Sequence, residues 1–533
     1  MKRKISLLLA LVMLTVPVAV CLTEEAAAMI PGVHGSILGE LHFGGGKTLS
    51  FAGFEGWNTA VTMNDNLPLW REIEKLTDVS IEWHCFADYD NTINPQIASG
   101  VNLSDIMLVP PAWGSSGVYQ LGLDGTIIPL DDLIAEYAPD IADYLVKNPD
   151  IKAVCTAPDG KMYTLPDIQK GSNNAAFQNT LMIRQDWLDA LGLPLPVTLD
   201  DWYQTLTAFK VNDMAGNGRT VPFSGTFNGS GDSRTALQVF YSAFGFPVGT
   251  QDWWFDEDGK VFNIRTTPQF KAFLTEMSKW YAEGLIDLDP GRNESDYYTF
   301  VSTGVSGTAI HLSQYIDMYN GFVNSAVPGA SLTLVDHPVG AGGKPVRILK
   351  RASTQNHYGI SKDCEDPALA IKWINFMFSE MGIMANQWGI PGVTYDIVDG
   401  RPRYSEWVLK NPDGMTPINA IRSLGIANNV FSITTMEASL ARRDIGIEMP
   451  FIERSVGKLV EPWPSIMSLE EERSIVNMYN TDYTTYRDEW YGYFIRGEES
   501  LDKFDEYVDN LNKIGLIEIQ KIRQIQLDRA FGR

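Results

Sequence analysis

The amino-acid sequence predicts an α/β protein in which β-sheets are flanked by helices and a helical region closes the chain. Short apolar strands alternate with helical segments near the start of the folded part. The strands are predicted at 48–54, 79–86 and 105–109, and the helices at 67–76 and 93–99. This alternation is typical of βα units and a mostly parallel sheet. With 533 residues, the chain is long enough to bury a large core.

The composition is that of an acidic globular protein. Hydrophobic residues make up 44% of the chain and charged residues 20%, which is ordinary for such proteins. The formal net charge is −24, so the chain lacks the basic character that nucleic-acid binding requires, and no nucleic-acid partner is expected. The acidity favours solubility, and it would also keep the protein away from anionic cell-wall polymers. Composition leaves both interpretations open.

The chain begins with the pattern of a signal peptide. Basic residues open it, and an uncharged apolar run follows over 5–16. Cleavage after the small residues 26–28 would make 1–28 the signal peptide. Alternatively, Cys21 resembles the cysteine of a lipobox and would carry a lipid anchor, although Val20 stands where a small residue is usual. Export is predicted in both cases.

Residues 29–46 are rich in glycine and are predicted to form a flexible tether. No later stretch offers the long apolar run that a membrane span needs. Membrane attachment is therefore expected only through a lipid on Cys21. The predicted location is the outer face of the cytoplasmic membrane or the cell envelope.

The most informative stretch runs from Asn179 to Gly218. A strand is predicted over 180–183, and the helix after it ends at Gly192, a suitable left-handed C-cap. Thr198 is the predicted N-cap of a second helix, with Asp201 in its electropositive first turn. The stretch therefore predicts a strand, a helix, a tight turn and a second helix.

This stretch resembles the extracellular solute-binding proteins of bacterial ABC transporters, and among them the large, often lipid-anchored members that serve oligosaccharide importers. A second block, W-Y-x-E-G-L-I-D, spans 280–287, and a third spans 388–395, where Pro391 replaces the acidic residue that is usual in the family. The positions of the first stretch that carry the resemblance are Arg184, Asp186, Trp187, Leu188, Leu191, Gly192, Leu193, Pro196, Thr198, Phe209, Lys210, Asp213, Asn217 and Gly218.

The resemblance implies a two-lobed fold of the periplasmic-binding-protein type II with a ligand cleft between the lobes and a helical C-terminal extension. The predicted boundaries are 47–165 with 306–355 for the first lobe, and 166–305 with 356–533 for the second. The resemblance also implies a monomer without catalytic activity. Its expected partners are an oligosaccharide ligand and the permease subunits of an ABC transporter.

Carbohydrate binding needs flat aromatic faces against which sugar rings pack, with polar groups around them. Some aromatic residues lie in loops beside Gly or Pro, where function is more common than in the core. These candidates are Trp57, Trp113, Trp253, Trp254, Trp388 and Tyr395. We expect Trp57, Trp113 and Trp388 to line one cavity, and two of them follow the carboxyl ends of predicted strands, where such sheets bind ligands.

Two polar residues complete the predicted binding site. Asp167 lies where the resemblance places the first crossing between the lobes, and its carboxylate would accept hydrogen bonds from two sugar hydroxyls. His311 follows a short apolar run and would lie at a strand end near the hinge. A buried structural role is the alternative for His311.

Asp213, Asn217 and Gly218 have the spacing that begins a calcium-binding loop, and the resemblance includes relatives that carry calcium here. In this chain Ala215 removes the second oxygen ligand, and Ser224 stands where a bidentate carboxylate is needed. A metal-free turn is therefore predicted, and no other cofactor is expected.

Two other functions remain open at this point. A secreted polysaccharide-active enzyme would use similar aromatic platforms and a pair of carboxylates, but no G-x-S-x-G, H-E-x-x-H or Cys/His arrangement is present. A peptide-binding importer component is the second alternative, because its pocket can also be aromatic.

Overall fold

The computed structural model describes residues 38, 41–55, 61–169, 177, 179–225, 236–287, 294–340, 346–350, 354–428, 430–443, 445–464 and 466–532. The predictions for the signal peptide 1–28, for Cys21 and for Trp57 lie outside these residues. No helix of the described residues combines the length and the apolar character of a membrane span.

The described ranges contain the following strands: β1 (Lys47–Phe54), β2 (Val79–Phe86), β3 (Ile106–Leu108), β4 (Leu165–Ile168), β5 (Thr180–Arg184), β6 (Phe223–Ser224), β7 (Trp253–Phe255), β8 (Val261–Asn263), β9 (Ile286–Asp287), β10 (Thr308–His311), β11 (Leu332–Val335), β12 (Ile348–Leu349), β13 (Thr354–Ile360), β14 (Tyr395–Val398), β15 (Arg401–Tyr404) and β16 (Leu459–Val460). The α-helices are α1 (Pro68–Thr77), α2 (Tyr89–Ser99), α3 (Gly114–Leu123), α4 (Asp131–Tyr137), α5 (Pro139–Lys147), α6 (Pro149–Cys155), α7 (Gln185–Leu191), α8 (Leu199–Val211), α9 (Pro268–Ala282), α10 (Glu294–Ser302), α11 (Ile316–Ala326), α12 (Pro367–Phe378), α13 (Glu380–Trp388), α14 (Glu406–Leu409), α15 (Pro417–Arg422), α16 (Met436–Ala441), α17 (Ile445–Ser455), α18 (Glu470–Arg496), α19 (Phe504–Ile514) and α20 (Leu516–Ala530).

The first lobe is built on a five-stranded sheet with the order β2-β1-β3-β13-β4. β1 runs parallel to β2 and β3, as the alternating pattern predicts. β13 is antiparallel to both of its neighbours. Aromatic side chains fill the core beside this sheet, and the ring of Trp83 lies 4.9 Å from that of Trp70 and 5.1 Å from that of Phe51.

The second lobe is built on the three-stranded sheet β10-β5-β11, in which the central strand is antiparallel to both neighbours. Its core contains the fully buried Trp202 and Trp280 and is also covered by the C-terminal helices. The predicted strand–helix–turn–helix stretch is confirmed. Thr198 forms a capping box with Asp201, and Gly192 adopts a left-handed φ of 65° at the end of α7.

The lobe boundaries differ from the prediction. β10 and β11 pair with β5, so 306–349 belongs to the second lobe and not to the first. β13 pairs with β3 and β4, and the helices that follow it pack into the first-lobe core. The first lobe therefore comprises 47–168 and 354–438. An apolar run shows that a strand is buried, but it does not show which sheet the strand joins.

The last residues of the predicted tether are ordered against the first lobe, so the prediction of a flexible 29–46 is wrong for 41–46. The amide of Leu41 donates to the Leu76 carbonyl (3.0 Å), and that of Gly44 donates to the Thr77 carbonyl (2.9 Å). A Cβ at Gly44 would lie 2.1 Å from the Asp78 carbonyl oxygen. Only glycine allows this close approach.

Candidate functional site

Two adjoining cavities of about 680 and 650 Å³ form a groove that we call the interlobe groove. Both are within the range of about 300–1,000 Å³ that is usual for ligand pockets. They share Asn480 and Arg523. The smaller cavity lies between α3 of the first lobe and α18 and α20 of the second. The larger one continues along the second lobe past β7 and the segment at 462–463.

One face of helix α18 contributes to the lining of both cavities. Its lining residues recur at the three- and four-residue spacing of a helix face. Arg473 and Arg487 are fourteen residues apart, or about 21 Å at the helical rise of 1.5 Å per residue. The lining residues of α18 are Arg473, Val476, Asn477, Asn480, Tyr483, Thr484 and Arg487. The groove is therefore elongated and combines amide, hydroxyl and guanidinium groups.

Tryptophan side chains occur toward both ends of the interlobe groove. Trp113 follows β3, lines the interlobe cavity and is 36% exposed. Its position depends on Gly117 of α3, because a Cβ there would lie 2.3 Å from the Trp113 Cβ. Trp253, on β7, lines the larger cavity, and its ring centre lies 6.4 Å from that of Tyr483. Trp463 lines the same cavity.

The carboxylate at the second-lobe end of the groove is held in a buried ion-pair network. Asp252 accepts a 2.9 Å hydrogen bond from Arg265 Nε and another from the Arg487 guanidinium. The Tyr483 hydroxyl donates to it at 3.0 Å. Burial alone would raise the pKa of Asp252, but the two arginines outweigh it and hold the pKa below its ordinary value. Asp252 is thus an anion held in place, and it positions Tyr483 and Arg487 in the lining of the groove.

Three of the predicted binding residues line the interlobe groove, namely Trp113, Trp253 and Trp254. Trp388 does not, because it is 2% exposed in the first-lobe core and packs 4.6 Å from the Tyr404 ring. The prediction that Trp388 lines a cavity with Trp113 is wrong. Tyr395 lines a different cavity of about 720 Å³, whose lining is confined to the first lobe and the segment at 41–43. Closure of the lobes cannot enclose a ligand there.

Asp167 and His311 also lie away from the groove lining. Asp167 is fully buried where the chain crosses between the lobes, and it accepts hydrogen bonds from the Ser432 amide (2.8 Å) and Asn356 Nδ2 (2.9 Å). Burial raises its pKa to about 7. The Nδ1 of His311 accepts from the Leu312 amide at 2.8 Å, and its ring packs 4.4 Å from Tyr315. Both side chains serve local structure in this conformation.

Sequence reasoning missed the groove residues of the C-terminal helices and Trp463. The polar spacing of α18 was available as a signal, because Arg473, Asn477 and Asn480 repeat on one helix face. Nothing local indicates that this face meets α3. Arg473 and Gln120 form a hydrogen bond across the groove although they are 353 positions apart in the chain.

The calcium-like loop does not fit a calcium ion in this structure. Both carboxylate oxygens of Asp213 accept hydrogen bonds within the turn, from the Gly218 amide (2.7 Å) and the Thr220 hydroxyl (2.8 Å). Ser224 is buried, and its hydroxyl shares a 2.7 Å hydrogen bond with Ser306. Calcium needs several oxygen ligands that include more than one carboxylate, and the described part of the loop supplies one.

The sequence matches the family model described as bacterial extracellular solute-binding protein over residues 70–384. This covers more than half of the chain, and the protein belongs to that family.

Two curated relatives are similar in sequence. FusA, named as the fructooligosaccharide ABC transporter substrate-binding protein of Streptococcus pneumoniae, is 29% identical over 365 residues, which are 65% of this chain and 64% of FusA. YtcQ of Bacillus subtilis, named as a polygalacturonan/rhamnogalacturonan-binding protein, is 26% identical over 336 residues, or 61% of this chain and 63% of YtcQ. The chain thus matches just under two thirds of the length of each relative.

Solved structures show the same fold. FusA in complex with kestose superposes with a TM-score of 0.75 at 22% identity and covers 91% of this chain and 99% of its own. The alginate-binding protein AlgQ2, in a structure without calcium ion, gives a TM-score of 0.73 at 23% identity with 91% and 98% coverage. The two-lobed fold predicted from the sequence is confirmed.

Proposed function

We propose that this protein is the extracytoplasmic solute-binding component of an ABC importer. It binds an oligosaccharide in the interlobe groove and delivers it to membrane permease subunits. The observation that carries this function is an elongated groove that reaches between both lobes and is lined by tryptophan rings together with amide and hydroxyl groups. The names of FusA, YtcQ and AlgQ2 support a carbohydrate, because each refers to a sugar polymer or oligomer.

Binding is coupled to the position of the lobes. The first lobe supplies Trp113, Ser116 and Gln120, and the second supplies Asn477 and Asn480. A ligand that contacts both lobes binds their closed arrangement more tightly and shifts the population toward it. The closed form is then the state that a permease recognises.

A catalytic role is not part of this proposal. Glycoside hydrolysis needs two carboxyl groups on either side of the scissile bond. Among the described residues that line the interlobe groove, Asp252 is the single carboxylate, and Arg265 and Arg487 both hold it. These contacts favour a binding protein over the enzyme that the sequence left open.

The protein acts outside the cytoplasmic membrane as a monomer. The signal-peptide pattern and membership of an extracellular family support export. Lipid attachment at Cys21 would keep the binding protein near its permease, and stable anchoring takes at least two acyl chains. Mass spectrometry of the native amino terminus tests this step, and a free amine at Met29 would rule out the anchor.

Thermal unfolding in the presence of oligosaccharides and peptides tests the ligand class. A ligand that binds only the folded protein raises Tm, so we expect oligosaccharides to raise it and peptides to leave it unchanged. The same sugars should show no new reducing ends after incubation with the protein. Stabilisation by peptides alone, or release of reducing ends, would contradict the proposal.

A further inference from the structure

The interlobe part of the groove is basic in a strongly acidic protein. The chain has 66 acidic and 42 basic residues, yet the lining of this cavity includes Arg473 and Arg523 and no acidic residue among the residues that the structure describes. The remaining lining is polar or apolar without charge. A positively charged cavity in an acidic protein favours a negatively charged ligand.

Arg523 has unused hydrogen-bonding capacity at the junction of the two cavities. One of its terminal nitrogens donates to Gln526 Oε1 at 3.0 Å, whereas its Nε is buried and has no acceptor among the described residues. In the described structure no carboxylate forms an ion pair with it. A buried guanidinium nitrogen without an acceptor is costly, and a ligand oxygen would remove this cost.

The acidic groups that act electrostatically on Arg523 are themselves held in ion pairs with other arginines. Glu472, next to Arg473 in the chain, pairs with Arg529 at 2.6 Å. Asp252 pairs with Arg265 and Arg487. Arg473 donates one hydrogen bond to Gln120 across the groove, and no described carboxylate lies within ion-pair distance of it. The two guanidinium groups therefore remain available to an anion.

We propose that the interlobe groove selects oligosaccharides that carry uronate carboxylates, with Arg523 and Arg473 as the groups that bind them. This inference rests on the proposed sugar-binding function and names the class of sugar. A guanidinium group presents a planar fork of donors that matches a carboxylate. The tryptophan rings at the groove supply the apolar faces that uronates share with neutral sugars.

The negative net charge of the protein does not oppose this selection. Charges separated by more than about 10 Å are largely screened at 0.1 M ionic strength. A carboxylate inside the groove therefore responds mainly to the guanidinium groups in contact with it.

Isothermal titration calorimetry with a matched pair of ligands tests the inference. Tetragalacturonate and its fully methyl-esterified form have the same sugar rings but differ in charge. We expect the acid to bind at least about tenfold more tightly than the ester, the scale of one charge-assisted hydrogen bond. Arg523→Gln and Arg473→Gln should each lower the affinity for the acid by about tenfold or more and leave that for the ester nearly unchanged.

Arg403→Gln is the matched control, because Arg403 is exposed on β15 of the first lobe. It should leave both affinities unchanged, and Tm of each variant should confirm folding. Equal binding of acid and ester, equal losses for both in the variants, or tighter binding of a sulfated oligosaccharide would overturn the uronate assignment. Binding of neutral oligosaccharides alone would also overturn it but leave the proposed function standing. Failure of every charged and neutral oligosaccharide to bind would count against both.

Discussion

Trp113 and Trp388 have the same local signature, since each is followed by a glycine, but they lie in regions with different roles. Trp113 is 36% exposed at the interlobe groove, whereas Trp388 is 2% exposed in the first-lobe core. The β14–β15 hairpin causes the difference, because it places Tyr395 and Tyr404 against the Trp388 ring. Trp113 instead lies at the groove, where it lines the smaller cavity. A loop context therefore permits exposure of a tryptophan, and packing from elsewhere in the chain decides whether it is exposed.

Asp167, where the chain crosses between the lobes, shows that burial also decides the role of a polar residue. Asp167 was expected to contact ligand, but its carboxylate joins three segments of the first lobe where the chain leaves for the second. Groove residues such as Asn480 are polar and exposed. Core and groove thus use similar residue types, and burial separates structural roles from binding roles.

The largest effect is expected for Trp388→Ala. Removal of a buried tryptophan should lower the free energy of unfolding by about 3–5 kcal/mol, because it opens a cavity in the core. Urea unfolding measures this loss. The folded fraction of the variant should keep its ligand affinity. A variant of normal stability that fails to bind sugar would instead place Trp388 in the binding site.

The second prediction concerns pH and Asp167. Burial raises its pKa from 3.8 to about 7, so the folded protein keeps this proton between those values while the unfolded chain loses it. Stability from this group is therefore complete below about pH 4 and is lost as pH rises to about 7, by at most about 4 kcal/mol.

Asp167→Asn should remove this pH dependence and become relatively more stable than the original protein at pH 8. Urea unfolding at pH 5 and pH 8 compares the two proteins. Their difference isolates Asp167 from other titrating groups such as His357, whose pKa burial lowers to about 4. Parallel stability profiles for the two proteins would contradict the structural role of the buried carboxyl.

The matched groove variant is Trp113→Ala. We expect it to weaken oligosaccharide binding by about 1–3 kcal/mol, because the ring no longer buries its face against the sugar. Its effect on unfolding should be well below that of Trp388→Ala, since the side chain is partly exposed. Calorimetry and urea unfolding of the same preparation give both values. Loss of stability without loss of affinity would remove Trp113 from the site.

The smallest effect is expected for calcium. The oxygens of Asp213 are used within its turn, so neither added calcium nor EDTA should change Tm, because an ion that does not bind cannot stabilise the folded state. A fall of many degrees in EDTA that calcium restores would show that other oxygen ligands complete a site.

The elements whose signals are local could be predicted from the sequence. The capping box of Thr198, the left-handed Gly192 and the parallel strands β1–β3 follow from propensity, capping and hydrophobic period over a few residues. The two-lobed fold class could be predicted from the family resemblance, because the resemblance rests on many coincident positions in one stretch. Trp113 reaches the groove because it follows a recognisable strand end. Trp253 and Trp254 also reach it, but they lie within strand β7 and not in a loop as the sequence predicted.

The folded structure was needed to show which sheet β10 and β13 join, whether Trp388 and Asp167 are buried, and that α18 contacts α3. Each of these outcomes depends on contacts between residues that are far apart in the chain, such as Gln120 and Arg473. Hydrophobic pattern reports that a residue is buried but not what buries it. The free energy of packing selects the partner, and that selection exists only once the whole chain is folded.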